Sequence, residues 1–260
     1  MSLGDCMSVR ELFELTGQKA VVTGAGGGIG RELCHALAEM GADVALVDTK
    51  RESMEKVSEE LRRYGRSVMI CETDVTKASN VESTMSRVLS EWGRIDILVN
   101  CAGITQWVPA EEMKEEDWDR LMDVNLKGTF LCCRAVARSM IANRRGKIIN
   151  IASMSGSIVN YPQPQCAYNT SKAAVVMLTK SLAAEWAQYN INVNSISPGY
   201  IATEMTMKIS QHHDQWKKLT PMKRLGEPSE LKGSVVYLAS EASRLMTGHD
   251  LIIDAGYTLW

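Results

Sequence analysis

Residues 20–50 read AVVTGAGGGIGRELCHALAEMGADVALVDTK: an apolar run, a glycine-rich loop, a helical stretch, a second apolar run and an acid, Asp48. Residues without a Cβ atom permit a tight turn after the first run. They also let an anion approach the free N–H groups at the start of the helix, where the helix dipole favours negative charge. The stretch therefore predicts a strand-helix-strand unit with a phosphate-binding turn.

The alternation of apolar strands and helical stretches continues along the chain. Strand-like runs occur in SVMICETD, IDILVNCAG, GKIINIAS, INVNSISPG and HDLIIDAG, and one long helix is expected over residues 115–143. Near-continuous apolar runs separated by helices are typical of parallel strands that are buried on both faces. We predict an α/β protein with a Rossmann-type, doubly wound parallel sheet and helices on both faces.

The division into domains follows from the same series. A length of 260 residues is compatible with one domain or two. Because no linker, low-complexity segment or repeat interrupts the alternation, residues 16–260 are interpreted as a single dinucleotide-binding catalytic domain. Residues 1–15 are interpreted as an N-terminal extension that could include a cloning remnant. The polar segment over residues 203–225 follows a strand, so we expect it to form one or two short helices and a lid.

Composition and charge argue against several classes of partner. A formal net charge of −2 gives no broad basic field, so neither nucleic acid nor a membrane is expected as a partner. Seven cysteines are scattered in odd number without a C-x-x-C pair, which favours a reducing, cytoplasmic location over a disulfide framework. His212 and His213 have no third ligand at useful spacing, so no metal site is expected.

The glycine loop and Asp48 together predict a dinucleotide cofactor. The glycines of the pattern T-G-x-x-x-G-x-G are Gly24, Gly28 and Gly30. At the end of the second strand, a carboxylate can bind the hydroxyls of the adenosine ribose and would repel a 2′-phosphate. Asp48 therefore favours NAD over NADP, although Lys50 and Arg51 follow it and could attract that phosphate.

The stretch AYNTSKAA, residues 167–174, places Tyr168 and Lys172 four residues apart on one helical face. An enzyme that transfers a hydride needs a group that exchanges a proton with the substrate oxygen. A tyrosine whose pKa is about 10 is too basic for this at neutral pH. We expect the Lys172 ammonium and an oxidised nicotinamide to lower the pKa of the Tyr168 phenol.

These motifs resemble those of the short-chain dehydrogenase/reductase family from about Thr16 to Trp260. The family's motifs stand here as TGAGGGIG, TDV, NCAG, DVNLKG and IASMSG, with Cys101 in place of a family asparagine. The resemblance implies a catalytic tetrad of Asn125, Ser153, Tyr168 and Lys172. It also implies a cofactor-binding set: Gly24, Gly28, Ile29, Gly30, Asp48, Asp74, Val75, Asn100, Ala102, Gly103, Tyr168, Lys172, Pro198, Gly199, Ile201 and Thr203.

The resemblance also assigns roles within the tetrad. Ser153 would hydrogen-bond the substrate oxygen, and Tyr168 would be the general acid/base. Lys172 would hold the hydroxyls of the nicotinamide ribose. Asn125 resembles the residue that perturbs its helix so that a water molecule can connect Lys172 to solvent.

The loop SIVNYPQPQCA, residues 157–167, offers uncharged amides at Asn160, Gln163 and Gln165, which can donate and accept hydrogen bonds. With Ser153 and Tyr168 they are the candidate substrate contacts, and Trp107 is a candidate wall of the site. This loop, the segments SMSG and AEWA, and the ending DAGYTLW resemble the polyol dehydrogenase branch of the family. We therefore expect NAD(P)-dependent interconversion of a secondary alcohol of a polyol or sugar acid with the corresponding ketone.

The sequence leaves two other functions open. A reductase of 3-oxoacyl groups on acyl carrier protein would need a basic docking patch and a less polar substrate loop. A non-catalytic nucleotide-binding redox sensor would have lost part of the tetrad. The resemblance further implies a homotetramer, in which we expect the apolar Trp260 to contact a neighbouring subunit.

Overall fold

The computed structural model describes residues 7–259. Seven parallel strands form one sheet in the order β3-β2-β1-β4-β5-β6-β7. The strands are β1 (Lys19–Thr23), β2 (Asp43–Asp48), β3 (Val68–Glu72), β4 (Ile97–Asn100), β5 (Gly146–Ile151), β6 (Ile191–Pro198) and β7 (Asp250–Ile253). This order reverses direction between β1 and β4, as in a doubly wound fold, and confirms the predicted fold class.

Helices cover both faces of the sheet. They are α1 (Val9–Phe13), α2 (Gly28–Glu39), α3 (Arg51–Leu61), α4 (Ala78–Trp92), α5 (Glu115–Met122), α6 (Gly128–Asn143), α7 (Cys166–Trp186), α8 (Glu204–Met207), α9 (His213–Leu219) and α10 (Lys232–Ala239). One buried apolar cluster joins the sheet to α2, α3 and α10, and another joins it to α4, α6 and α7. Within residues 7–259 no helix has the length and apolar character needed to cross a membrane.

The centre of strand β1, residues 20–22, is apolar at three successive positions. Val21 and Val22 are both fully buried, but they belong to different clusters. Successive side chains of a strand point to opposite faces, and helices cover both faces here. An unbroken apolar run is therefore the expected pattern for a central strand of this sheet.

The helix expected over residues 115–143 is interrupted. A π-helical turn over Asp123–Lys127 separates α5 from α6. We also did not predict α10, whose sequence KGSVVYLA is apolar on most sides and lacks the one-sided pattern of a surface helix. The expected short helices after Thr203 are present as α8 and α9.

The start of the described chain packs against the rest of the domain. The Phe13 ring lies 6.3 Å from the Tyr237 ring between centroids, and Leu15 is buried in the cluster that contains α2. These contacts tie the start of the described chain to the sheet. Residues 1–6 and Trp260 lie outside the described residues, and so does the subunit contact expected at Trp260.

Candidate active site

A cleft of about 610 Å³ opens at the carboxyl ends of the strands, where the strand order reverses. Ligands of open α/β sheets bind at such a switch point. Its walls include the loop after β1, the end of β2, the segment that follows β4, the start of α7, and the segment that contains α8 and α9. One cleft therefore contains both the glycine loop and the tyrosine-lysine pair that lie far apart in sequence.

The glycine loop is shaped by close backbone approaches. Gly24 has a φ of +67°, and a Cβ atom there would lie 2.8 Å from the Ala102 backbone nitrogen. A Cβ atom at Gly30 would lie 2.1 Å from the Gly24 carbonyl oxygen. Neither position accepts another residue without moving the backbone.

The loop leaves the first N–H groups of α2 without a side-chain cap, because the N-cap residue is Gly27. Gly28 and Ile29, the first two residues of α2, lie on the wall of the cleft. A Cβ atom at Gly27 would meet no atom within 4 Å. Uncapped N–H groups at a helix start that faces an open cradle suit a pyrophosphate. The residues present therefore fit a dinucleotide cofactor.

Asp48 lies at the end of β2 and faces the glycine loop. Its carboxylate accepts hydrogen bonds from the backbone N–H groups of Gly26, at 3.0 Å, and Lys50, at 3.2 Å. Lys50 also lines the cleft, whereas the Arg51 guanidinium pairs with the Glu55 carboxylate at 3.0 Å. A held carboxylate beside the adenosine end of the cleft suits ribose hydroxyls.

Asp74 and Val75 line the same end of the cleft. The Asp74 carboxylate accepts hydrogen bonds from the Thr76 hydroxyl, at 2.7 Å, and the Thr76 backbone N–H, at 2.9 Å. The first of these bonds is the main reason that the pKa of Asp74 is lowered. Asp74 is therefore held as an ionised acceptor at neutral pH.

Residues 100–103, at the end of β4 and just after it, lie partly on the cleft wall and partly in the core. Ala102 and Gly103 line the cleft, whereas the Asn100 side chain points into the core and donates to Asn150 Oδ1 at 2.9 Å and Cys133 Sγ at 3.2 Å. The pairing of β4 with β5 brings Asn100 opposite Asn150, which explains this direction. The Asn100 side chain thus joins strands below the cleft and does not line it.

Cys101, which replaces the family asparagine, also lies on the cleft wall. Burial raises the pKa of its thiol to about 12. The thiol is therefore neutral at physiological pH and adds no charge beside Lys172.

Four further residues form the wall at the end of β6 and just after it. They line the cleft in the order Pro198, Gly199, Ile201 and Thr203. A Cβ atom at Gly199 would lie 2.7 Å from the Asp254 Cα atom, so the chain passes close to the end of β7. The Thr203 hydroxyl accepts a hydrogen bond from the Thr206 backbone N–H at 3.3 Å and so begins α8.

Ser153, Tyr168 and Lys172 meet on one side of the cleft. Ser153 follows β5, while Tyr168 and Lys172 lie in the first two turns of α7. The Lys172 ammonium donates to the Ile151 carbonyl oxygen at 2.8 Å and lies 5.7 Å from the centre of the Tyr168 ring. The three side chains predicted from separate motifs therefore come together in space.

Asn125 lies inside the π-helical turn and behind the cleft wall. Its side-chain amide donates to the Ile104 carbonyl at 3.0 Å and to the Ser171 hydroxyl at 3.0 Å, and it accepts from the Ile104 N–H at 2.8 Å. A Cβ atom at Gly103 would lie 3.4 Å from Asn125 Oδ1 and 3.5 Å from Lys172 Nζ. The amide oxygen and the ammonium thus approach the same point.

Burial shifts the pKa values of both Tyr168 and Lys172. Burial raises the pKa of Tyr168, and the nearby Ser153 hydroxyl opposes this effect only in part. Burial also lowers the pKa of the Lys172 ammonium to about 8. In the protein alone the phenol pKa is therefore raised, because removal from water outweighs the favourable neighbours. The lowering expected from Lys172 together with an oxidised nicotinamide stays a prediction.

The amides of the substrate loop take different places. Gln163 and Gln165 line the cleft. Asn160 does not, because its Nδ2 donates to the Tyr200 hydroxyl at 3.1 Å and its Oδ1 accepts from Gln165 Nε2 at 2.9 Å. Asn160 therefore supports the loop from behind.

Two aromatic residues of the cleft were missed from the sequence. Tyr200 and Trp216 stack with ring centroids 4.2 Å apart and an angle of 10°, and the Trp107 ring packs edge-on against Trp216 at 5.7 Å. Tyr200 directly follows Pro198 and Gly199, and this position was the available signal. Nothing local marks Trp216, which lies in the irregular segment that carries α9.

His212 and His213 pack near this group. Their rings lie 5.8 and 5.6 Å from the Trp216 ring between centroids. Within the described ranges, no group of three or more histidine, cysteine or acidic side chains is placed to hold a metal ion.

Comparison with known proteins assigns the chain to a family. A family model described as enoyl-(acyl carrier protein) reductase matches residues 24–258. The crystal structure of a short-chain type dehydrogenase/reductase from Mycobacterium marinum matches with a TM-score of 0.95 and 43% identity, over 96% of this chain and 99% of that chain. The chain belongs to the short-chain dehydrogenase/reductase family. This confirms the family predicted from the motifs.

Curated relatives within this family carry polyol names. Galactitol 2-dehydrogenase of Rhizobium johnstonii is 46% identical over 98% of this chain and 100% of its own length. NAD-dependent glycerol dehydrogenase of Listeria innocua is 42% identical over 95% of this chain and 96% of its length. NADP-dependent mannitol dehydrogenase of Hypocrea jecorina is 41% identical over 95% of both chains. Relatives of similar identity thus use either cofactor.

Proposed function

We propose that this short-chain dehydrogenase/reductase uses NAD(P) to interconvert a secondary alcohol of a polyol or sugar acid with the corresponding ketone. The observation that carries the proposal is the meeting of Ser153, Tyr168 and Lys172 in the cleft that the glycine loop opens. The polyol names of relatives at 41–46% identity support the substrate class.

In this proposal the protein's own groups handle the proton while a bound nicotinamide supplies or accepts the hydride. Tyr168 takes the proton of the substrate hydroxyl during oxidation and returns it during reduction. The Ser153 hydroxyl donates to the substrate oxygen and stabilises the charge that develops there. Because Lys172 is buried and cationic at neutral pH, it stabilises the phenolate form of Tyr168 and can hold ribose hydroxyls.

Asn125 completes the proposed proton route. Its side-chain oxygen and the Lys172 ammonium lie on the same side of Gly103. The π-helical turn holds this amide through Ile104 and Ser171, so it cannot rotate freely. We assign Asn125 the role of placing a water molecule that connects Lys172 with solvent.

NAD is the proposed cofactor of choice. The Asp48 carboxylate lines the adenosine end of the cleft, where a 2′-phosphate would meet a like charge. Arg51 is engaged by Glu55, which leaves Lys50 as the nearby cation on the cleft wall within the described chain. The proposed pyrophosphate and adenine contacts come from the glycine loop, Asp74 and Val75.

We also propose a cytoplasmic homotetramer. The location is supported by the cysteines of the described residues, which are all free thiols. The assembly rests on the family expectation, and light scattering of the purified protein would test it.

The function is tested by following the absorbance of the reduced nicotinamide. Pentitols, hexitols, sugar acids and 3-oxoacyl thioesters are each supplied with NAD or NADP. Turnover of a polyol, with NAD preferred, is the expected result. Turnover of acyl thioesters alone would replace the proposal with the acyl reductase function, and tight cofactor binding without any turnover would favour the redox sensor.

A further inference from the structure

The Gln163 side chain is oriented by Trp216, a residue of α9. Trp216 is 1% exposed, and its indole N–H donates to Gln163 Oε1 at 3.1 Å. An indole nitrogen can only donate a hydrogen bond. The carbonyl end of the Gln163 amide must therefore face Trp216, and its amino end must face the other way.

The amino end of Gln163 has one hydrogen-bond partner among the residues that the structure describes. Nε2 donates to the Tyr200 hydroxyl at 2.9 Å, and the Tyr200 ring is itself held by stacking on Trp216. A primary amide carries two N–H hydrogens. Since Gln163 lines the cleft, the second hydrogen is the group that it can offer to a ligand.

Gln165 has the opposite polarity. Its Nε2 donates to Asn169 Oδ1 at 2.7 Å and to Asn160 Oδ1 at 2.9 Å, and the Ser155 hydroxyl oxygen lies 3.3 Å away. These contacts use both hydrogens of the amide. Among residues 7–259 no donor bonds Gln165 Oε1, so the carbonyl oxygen is the group that Gln165 can offer to the cleft.

The substrate end of the cleft also lacks an available cation in the described part of the chain. On the wall of the whole cleft, the cationic side chains of the described residues are Lys50 and Lys172. Lys50 adjoins Asp48 at the adenosine end, and the Lys172 ammonium is bound to the Ile151 carbonyl oxygen. A carboxylate on the substrate chain would thus meet no arginine and no further lysine.

We propose that Gln163 and Gln165 form a donor-acceptor pair that selects a neutral, hydroxyl-bearing chain and rejects a sugar acid. The inference rests on the proposed function and narrows its substrate class. A hydroxyl can accept from Gln163 and donate to Gln165, whereas a carboxylate only accepts and would face the Gln165 oxygen without a counter-charge. Trp216 acts in this scheme as the positioning residue for Gln163.

The first test compares kcat/KM for a polyol and for the aldonate of the same chain length. We expect the wild-type protein to prefer the polyol at least about tenfold, since an unpaired charge costs a factor of this order. Gln165→Lys supplies a cation and should reduce the ratio of kcat/KM for the polyol to that for the aldonate at least about fivefold. Gln188→Lys, a matched change at an exposed glutamine outside the cleft, should leave the ratio unchanged.

The outcomes separate the two proposals. Equal use of polyol and aldonate by the wild-type protein would overturn the donor-acceptor pair and leave the dehydrogenase function intact. An unchanged preference in Gln165→Lys would also contradict the pair. Turnover of neither compound would refute the proposed function and this inference with it.

The second test is a double-mutant cycle between Trp216→Phe and Gln163→Leu. Phenylalanine keeps an aromatic ring to stack on Tyr200 but has no N–H for Gln163. We expect Trp216→Phe to raise the KM for the polyol about three- to tenfold, with kcat within about twofold. If Trp216 acts through Gln163, this increase should vanish in the Gln163→Leu background. Additive effects, or a loss confined to kcat, would reject the positioning role.

Discussion

Lys172 should destabilise the folded protein while it supports the chemistry. The residue is 5% exposed, and burial lowers the pKa of its ammonium to about 8 from the ordinary 10.5. A difference of about 2.5 at 1.36 kcal/mol per unit corresponds to about 3 kcal/mol. Lys172→Met removes this cost but also the hydrogen bond to the Ile151 carbonyl, which is worth about 1 kcal/mol. We expect the variant to be inactive and about 2 kcal/mol more stable at pH 7, a rise in Tm of about 5 °C.

The stability difference between Lys172→Met and the wild-type protein should depend on pH. Below pH 8 the lysine is charged in both states, so the full cost of the buried ammonium is present. Between pH 8 and about 10.5 the unfolded chain still binds the proton that the folded chain has lost, and the stability of the wild-type protein rises. The advantage of Lys172→Met should therefore shrink over this range.

Scanning calorimetry of both proteins at pH 7 and pH 10 measures the difference. Lys147→Met is the matched control, because burial also lowers the pKa of Lys147 to about 8 at the amino end of β5, away from the cleft. It should raise Tm in a similar way and retain turnover. A Lys172→Met variant that is less stable at pH 7, or whose advantage does not change with pH, would refute the reasoning.

Three further predictions concern the cleft. Tyr168→Phe should lower kcat about 10²- to 10⁴-fold and leave the Kd for NAD nearly unchanged, as fluorescence titration would show; near-normal turnover would remove Tyr168 as the acid/base. Asp48→Ala should raise the KM for NAD about tenfold or more, because the charge-assisted hydrogen bonds from the carboxylate to the two ribose hydroxyls are lost. It should lower the KM for NADP, because the charge that repels the 2′-phosphate is lost as well. An unchanged ratio of the two KM values would show that Asp48 does not contact the ribose. Gly30→Ala should abolish cofactor binding by calorimetry and lower Tm, because its Cβ atom would lie 2.1 Å from the Gly24 carbonyl oxygen; normal affinity would show that the loop can widen.

The sequence predicted those parts of the site that short motifs encode. The glycine loop depends on residues adjacent in the chain, and so does the spacing of Tyr168 and Lys172 on α7. The long helix expected over residues 115–143 was wrong at its centre, because the π-helical turn is held by the contacts of Asn125 with Ile104 and Ser171. Those partners lie in other parts of the fold, so no local sequence pattern predicts them.

The direction of the Asn100 side chain has the same kind of cause. The motif placed it among the cofactor contacts, whereas its partners Asn150 and Cys133 become neighbours only when β4 pairs with β5 and α6 packs on the sheet. The raised pKa of Tyr168 likewise follows from burial by distant segments, a quantity that composition does not report.

By itself, the sequence determined the alternation of strands with most of the helices, the phosphate-binding turn and the membership of the family. These follow from local backbone preferences and from apolar runs that must be buried, and neighbouring residues encode both. Only the tertiary structure decided which end of each substrate-loop amide faces the cleft. The direction of a hydrogen bond depends on its partner, and the partner of Gln163 is Trp216, which lies in another element of the fold.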